Sequence, residues 1–201
     1  YTPKNDIALV TAVHTCTHVS PEGACADGPN GAMEEWDVSR IQNMDYLFNT
    51  QTFFNADISG WDVSSATSMT GMFRSANSFN HNLSHWDVAR VTDMSGMFRG
   101  TKPWHPEERI MILTWSINPE SSFNGDISEW DVSRVTTVSA MFAGATMFNV
   151  DLFDWDVSSV VDMSGVFRGG TALDSDISSW DVSSVTRMNS MFLDAKSFNG
   201  D

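Results

Sequence analysis

Hydrophobic and polar positions alternate along this chain in a block that returns every 25 residues. Its clearest marker is a tryptophan followed by aspartate and valine: Trp36-Asp37-Val38, Trp61-Asp62-Val63, Trp86-Asp87-Val88, Trp130-Asp131-Val132, Trp155-Asp156-Val157 and Trp180-Asp181-Val182. The tryptophans lie 25, 25, 44, 25 and 25 residues apart. A fixed period in the twenties marks a chain whose units bury their apolar sides only against their neighbours. Aligned on the tryptophan, further columns are apolar in every copy. Three residues before it stand Met33, Ile58, Leu83, Ile127, Leu152 and Ile177; eight after it come Met44, Met69, Met94, Val138, Met163 and Met188. Phenylalanine follows twelve residues after, six times from Phe48 to Phe192. A second set lies eighteen after: Phe54, Phe79, Phe148, Leu173 and Phe198, with Phe123 once an insertion is removed.

These spacings fit neither one continuous helix nor one long strand. They predict a short strand over Asp57–Ser64, a helical turn over Thr67–Ala76 and a closing corner at Phe79-Asn80. Met69, Met72, Phe73 and Ala76 recur at three and four residues, one face of a helix, although Gly71 lowers its propensity. Ile58, Trp61 and Val63 have the L-x-x-L-x-L spacing of a leucine-rich repeat. The expected fold is therefore a leucine-rich-repeat-like solenoid of six ~25-residue coils, each a short parallel β-strand plus a short helical turn. All six tryptophans and the six phenylalanines from Phe48 to Phe192 should be buried in one stack.

The unit W-D-V-S-x-V-T-x-M-x-x-M-F-x-x-A-x-x-F-N-x-D-I-S resembles the 25-residue repeat of the BspA-like, DUF285-type leucine-rich-repeat surface proteins, over Met33 to Asp201. Departures are the insertion, Ala89 where the other copies have serine, and Leu173-Asp174 in place of Phe-Asn. The resemblance implies a secreted or cell-surface adhesion protein and carries no catalytic residues.

Residues 1–32 lie outside the repeat. Asp6–Val13 is apolar enough for a short helix, entered through Thr2-Pro3 or Asn5, that caps the first coil. Cys16 and Cys25, the only cysteines, follow in a loop. They read as one disulfide and hence an oxidising, extracellular or lumenal setting, with two reduced thiols the alternative. His14 and His18 allow zinc as a further reading, weakened by the lack of a C-x-x-C pair. Residues 33–201 form the repeat body, interrupted by 19 extra residues, Lys102 to Glu120, with three prolines and the two non-repeat tryptophans Trp104 and Trp115. This insertion either folds back onto the body or meets a partner. The last coil stops at Asp201 without a capping sequence, so the native chain is expected to continue or another chain to cover that end.

Charge narrows the partners. Lys plus Arg is 11 against Asp plus Glu 26, a net charge of −15. That disfavours nucleic acid and anionic lipid and favours cations or a basic partner. No apolar run reaches the length of a membrane span. The aspartates after each tryptophan (Asp37, Asp62, Asp87, Asp131, Asp156, Asp181) should stack as a ladder of like charge. Two readings stand: each carboxylate caps its own Asp-x-Ser corner, or the ladder holds Ca²⁺ or meets a partner's basic groups. The column before the tryptophan (Glu35, Gly60, His85, Glu129, Asp154, Ser179) varies from coil to coil, as a recognition surface or idle surface would. Asn82-Leu83-Ser84 is a glycosylation sequon if the chain is secreted in a eukaryote. No phosphate loop, metal-protease helix or nucleophile elbow is present, and repeated aspartates do not make the two distinct environments of a glycosidase pair. The expected function is non-catalytic protein or glycan binding at a cell surface; the alternative is a structural subunit docked in a larger assembly, with the insertion and the open end as contacts.

Overall fold

A computed structural model describes residues 1–100 and 121–199. Helix α1 spans Asp6–Val19, six residues longer than the apolar run alone predicts. Asn5 caps it, its side-chain oxygen accepting from the Ala8 N–H at 2.9 Å. Leu9, Ala12, Val13, Cys16 and Thr17 form the buried stripe, spaced at three and four residues as one helix face requires. Cys16 therefore sits on α1 rather than in the loop, and its disulfide to Cys25 ties the helix end to the loop that follows.

The repeats stack, but not as a leucine-rich repeat. Among the described residues there is no β-strand, and past α1 the only helical element is the single 3₁₀ turn Met33–Glu35. Neighbouring coils meet in isolated parallel bridges, Asn43 to Ser68, Ser68 to Asp93, Asp93 to Thr137, Thr137 to Asp162 and Asp162 to Arg187. The strand expected over Asp57–Ser64 and the helical turn expected over Thr67–Ala76 are both absent. The fold expectation is corrected accordingly: each coil is a chain of linked β-turns.

The hydrogen bonds show why. Trp61 N–H bonds Ile58 C=O, Ala66 N–H bonds Val63 C=O, Met72 N–H bonds Met69 C=O, Ala76 N–H bonds Phe73 C=O and Phe79 N–H bonds Ala76 C=O. The apolar residues three apart are thus the first and fourth residues of successive turns, both pointing inward. Between those turns, alternate N–H groups leave the coil. Met69, Gly71, Phe73 and Ser75 donate to Asp93, Ser95, Met97 and Arg99 of the next coil, at 2.8–3.0 Å. Gly71 and Ser75 have φ of +57° and +61°, each at the third position of its turn. Positive φ there is the type II geometry. It turns the central peptide across the plane of the turn, so its N–H and C=O point along the stack. The same two positions have positive φ in four other coils, at Tyr46 and Thr50, Ala140 and Gly144, Gly165 and Gly169, and Ser190 and Asp194, and in the third coil the first of them does, at Gly96. Residues alternating between an inter-coil bond and a left-handed turn cannot form consecutive extended pairs, so no strand develops.

Side chains reinforce the stack. From the second coil on, the repeat tryptophan's Nε1–H reaches into the preceding coil: Trp61 to Met33 C=O, Trp86 to Ile58, Trp130 to Leu83, Trp155 to Ile127 and Trp180 to Leu152, at 2.8–3.2 Å. The indole donor is therefore satisfied inside the core. The two phenylalanine sets pair face to face within a coil, Phe73 with Phe79 at 4.1 Å and Phe98 with Phe123 at 3.7 Å between ring centroids. Phe73 and Phe98 stack between coils at 5.5 Å. At the closing corner the asparagine side chains bond the next coil: Asn80 N–H donates to Asn55 Oδ1, Asn124 to Asn80 and Asn149 to Asn124. Asp174 fits this series because only an acceptor oxygen is used, and Asn199 N–H donates to it.

The burial expectation holds for five coils and fails in the sixth. Trp36, Trp61, Trp86, Trp130 and Trp155 are buried, as are Phe48, Phe73, Phe98, Phe142 and Phe167. Trp180 and Phe192 are only partly buried, and Val182, Met188 and Leu193 are exposed.

Candidate functional site

The turn beginning two residues after each tryptophan (Val63 to Ala66 in the second coil) puts that valine inward and leaves the residue on each side of the tryptophan in solvent. Glu35, His85, Glu129 and Asp154, just before the tryptophan, are all exposed, and so are Asp37, Asp62, Asp87, Asp131, Asp156 and Asp181 just after it. One lateral face therefore carries two exposed columns, one varied and one uniform. Trp104 and Trp115 lie outside the described residues.

The uniform column is occupied locally. Asp62 Oδ1 accepts the Ser64 N–H at 3.0 Å and its hydroxyl at 2.6 Å. Asp156 does the same with Ser158 at 3.0 and 2.6 Å, and Asp37 with Ser39 at 3.2 and 2.7 Å. Asp131 and Asp181 accept the N–H of Ser133 and Ser183. At Ala89 the hydroxyl is missing and only the backbone bond to Asp87 remains, 3.1 Å. A further column, four residues before the tryptophan, is built alike, Asp57, Asn82, Asp126, Asp151 and Asp176 each accepting the N–H two residues on. These are the Asx corners that the Asp-x-Ser pattern predicts.

Their electrostatics follow from the hydroxyls. The Ser158 hydroxyl, then the Ser158 N–H, hold the Asp156 carboxyl below its ordinary value, while burial and the neighbouring Asp181 charge oppose this more weakly. Asp37 and Asp181 are lowered first by the hydroxyls of Ser39 and Ser183. At Asp156 hydrogen bonds to the ionised form thus outweigh repulsion from the next rung of the ladder. Among the described residues no group of three or more His, Cys, Asp or Glu side chains is placed to hold a metal ion.

Beside this face, at the mouth of the first coil, α1, the Cys25 loop and Trp36 enclose a cavity of about 490 Å³. Ala12, Cys16, Val19, Ala24, Asp27 and Trp36 are among its walls. Sequence reasoning missed it, because it depends on the helix running on to Val19. Among the described residues no helix is long and apolar enough to cross a membrane.

No curated protein sequence and no solved structure matches the chain. A family model does, described as "Mycoplasma protein of unknown function, DUF285", once over residues 22–110 and again over 111–201. Those two matches take in all six tryptophan units and run across the insertion. The chain belongs to the DUF285 family.

Proposed function

We propose that this protein is a non-catalytic recognition module that binds a protein or glycan through the face carrying Glu35, His85, Glu129 and Asp154, in the setting of cell-surface adhesion. The observation that carries the reading is the contrast between two neighbouring exposed columns. The aspartates are spent on their own corners in every coil, whereas the residues before the tryptophans are exposed and differ from coil to coil. A fixed scaffold presenting varied side chains at regular intervals is how stacked repeats build binding surfaces. The aspartates share nearly identical surroundings, which speaks against an acid–base pair, since such a pair needs two distinct environments. The Cys16–Cys25 disulfide is compatible with an oxidising extracellular location. The resemblance of the repeat to BspA-like surface proteins supports the adhesive side of this reading.

The test is a binding screen of the 201-residue chain against extracellular-matrix glycoproteins and immobilised glycans. The double variant His85→Ala/Glu129→Ala should lose at least about tenfold in affinity for whatever is retained. Retention at equal affinity by the variant, with an unchanged melting temperature, would remove this face from the function.

A further inference from the structure

The tryptophan column changes character at its first member. From the second coil on, the indole N–H bonds a carbonyl of the coil before it, whereas the Trp36 Nε1–H bonds the Asn30 and Gly31 carbonyls of the loop after α1, at 3.1 and 3.3 Å. That loop stands in for the hydrogen bonds of a preceding coil without supplying its rings. Tyr1 meets the Trp36 indole edge-on, 5.3 Å between centroids and 68° between planes, while Trp61 stacks on it at 6.4 Å and 16°. Where a further coil would bring aromatic and methionine side chains, α1 and the loop bring Ala12, Ala24, Ala26, Gly28 and Gly31. The volume they leave unfilled is the cavity of about 490 Å³ beside Trp36. Its walls are fixed. The Cys16–Cys25 disulfide ties helix to loop, and Ser20 N–H bonds Cys16 C=O, Gly28 N–H bonds Cys25 C=O and Gly31 N–H bonds Gly28 C=O, at 2.8–3.2 Å. Val19, at the end of α1, lines the cavity and is 80% exposed.

We propose that this cavity binds a small aromatic amine, its ring against the apolar walls by Val19 and Trp36 and its ammonium on Asp27. The volume falls in the range of about 300–1,000 Å³ that small-molecule sites occupy. Walls already bonded in place lower the cost of ordering them around a ligand. The charge of the ligand follows from Asp27, the one charged side chain among the described residues that line the cavity. The ladder aspartates are each engaged by their own corner, whereas among the described residues no hydrogen bond or ion pair engages the Asp27 carboxylate. Asp27 is exposed, so its charge stands where an entering cation meets it. The net charge of −15 acts in the same direction, attracting a cation and repelling an anion before contact. A ring suits the apolar walls better than an alkyl chain because an indole is among them, and aromatic rings attract one another beyond the area they bury.

The cavity shares no residue with the recognition face proposed above, so the two stand or fall separately. The test is an NMR titration of the whole chain with phenethylamine, and with 3-phenylpropionate as a probe of the same ring and opposite charge. Phenethylamine should shift the Trp36 Nε1–H and the methyls of Ala12 and Ala24, and 3-phenylpropionate should bind more weakly. Asp27→Asn should weaken phenethylamine about two- to fivefold, as loss of one exposed ion pair does, and Asp27→Lys should reverse the preference between the probes. Ala24→Phe, which fills the cavity, should abolish the shift at Trp36 while the indole N–H signals of the other repeat tryptophans keep their positions and show the fold intact. Glu22→Gln, at an exposed carboxylate off the cavity wall, should bind as the parent does. Absence of a shift at Trp36, equal binding of the two probes, or undiminished binding in Ala24→Phe would overturn the assignment.

Discussion

At the scale of single residues, the serines two places after Asp37, Asp156 and Asp181 set the acidity of those three aspartates. Asp37, Asp156 and Asp181 have folded-state pKa values below the ordinary carboxylate range, with the serine hydroxyl the first cause. A group with a depressed folded pKa contributes stability that is present above the unfolded pKa and lost as pH falls through the folded one. The melting temperature should therefore decline below about pH 4. Ser158→Ala should raise the Asp156 pKa toward its ordinary value, read by NMR titration of that carboxyl. An unchanged Asp156 titration would show that the hydroxyl bond is not what lowers it. The left-handed positions give a second, opposed pair. Gly165 sits at φ +64° with only an ordinary van der Waals contact, 3.9 Å to the Arg168 Cβ, where a Cβ would go, and Ala140 occupies the same repeat position at φ +53°. Gly165→Ala should cost about 1 kcal/mol and Ala140→Gly should recover a similar amount, measured by urea unfolding. Effects of the same sign in both would contradict a backbone origin.

At the scale of the element, the coil's apolar spacing was legible and its hydrogen bonding was not. Met69, Met72, Phe73 and Ala76 read as one helix face because a residue and its third neighbour share a side in a helix. They share a side equally at the two ends of a β-turn, and the bonds from Met72 to Met69 and from Ala76 to Phe73 show that turns are what form. The signal that separates the two was present at Gly71, Gly96 and Gly165, in one column, and at Gly144 and Gly169, in another. Glycines recurring four residues apart in a supposed helix mark positive φ, not weak helix propensity. The Asx corners were readable because Asp-x-Ser closes within three residues. The bonding of the asparagine series was not readable, because its partner lies a full coil away, at Asn55 for Asn80. The tryptophan column was read correctly as core, but its second role went unseen, since nothing local tells where Nε1–H points. That role is testable at Trp130, whose Nε1–H meets Leu83 C=O at 2.8 Å. Trp130→Phe keeps most of the ring but leaves that carbonyl unpaired, costing about 1–3 kcal/mol; Trp130→Ala should cost about 3–5 kcal/mol. Chemical denaturation resolves the two, and a Trp130→Phe variant as stable as the parent would mean that the hydrogen bond contributes nothing.

At the scale of the whole molecule, the period predicted a continuous stack, and the bonding explains how it survives interruption. Across the insertion the sequence separation jumps, yet the inter-coil contacts are the ordinary ones: Thr136 N–H to Thr92 C=O, Asn124 N–H to Asn80 Oδ1 and Trp130 to Leu83. On either side of it, Gly100 N–H bonds Ala143 C=O and Ser121 N–H bonds Gly144 C=O. Both ends of the interruption are thus anchored on adjacent residues of one coil. Removing residues 102–120 rejoins Thr101 to Ser121 and returns Phe123 to its place eighteen after Trp86. The shortened chain should still melt cooperatively, and loss of cooperative melting would show that the stack depends on the insertion. The anchoring has a use in design. A corner whose two ends are pinned side by side is a grafting port: foreign peptides of many lengths can be spliced there, since loop closure costs only about 0.6 kcal/mol more for each doubling in length. The chain can in this way serve as a display scaffold whose cargo is exchanged while its frame is left alone.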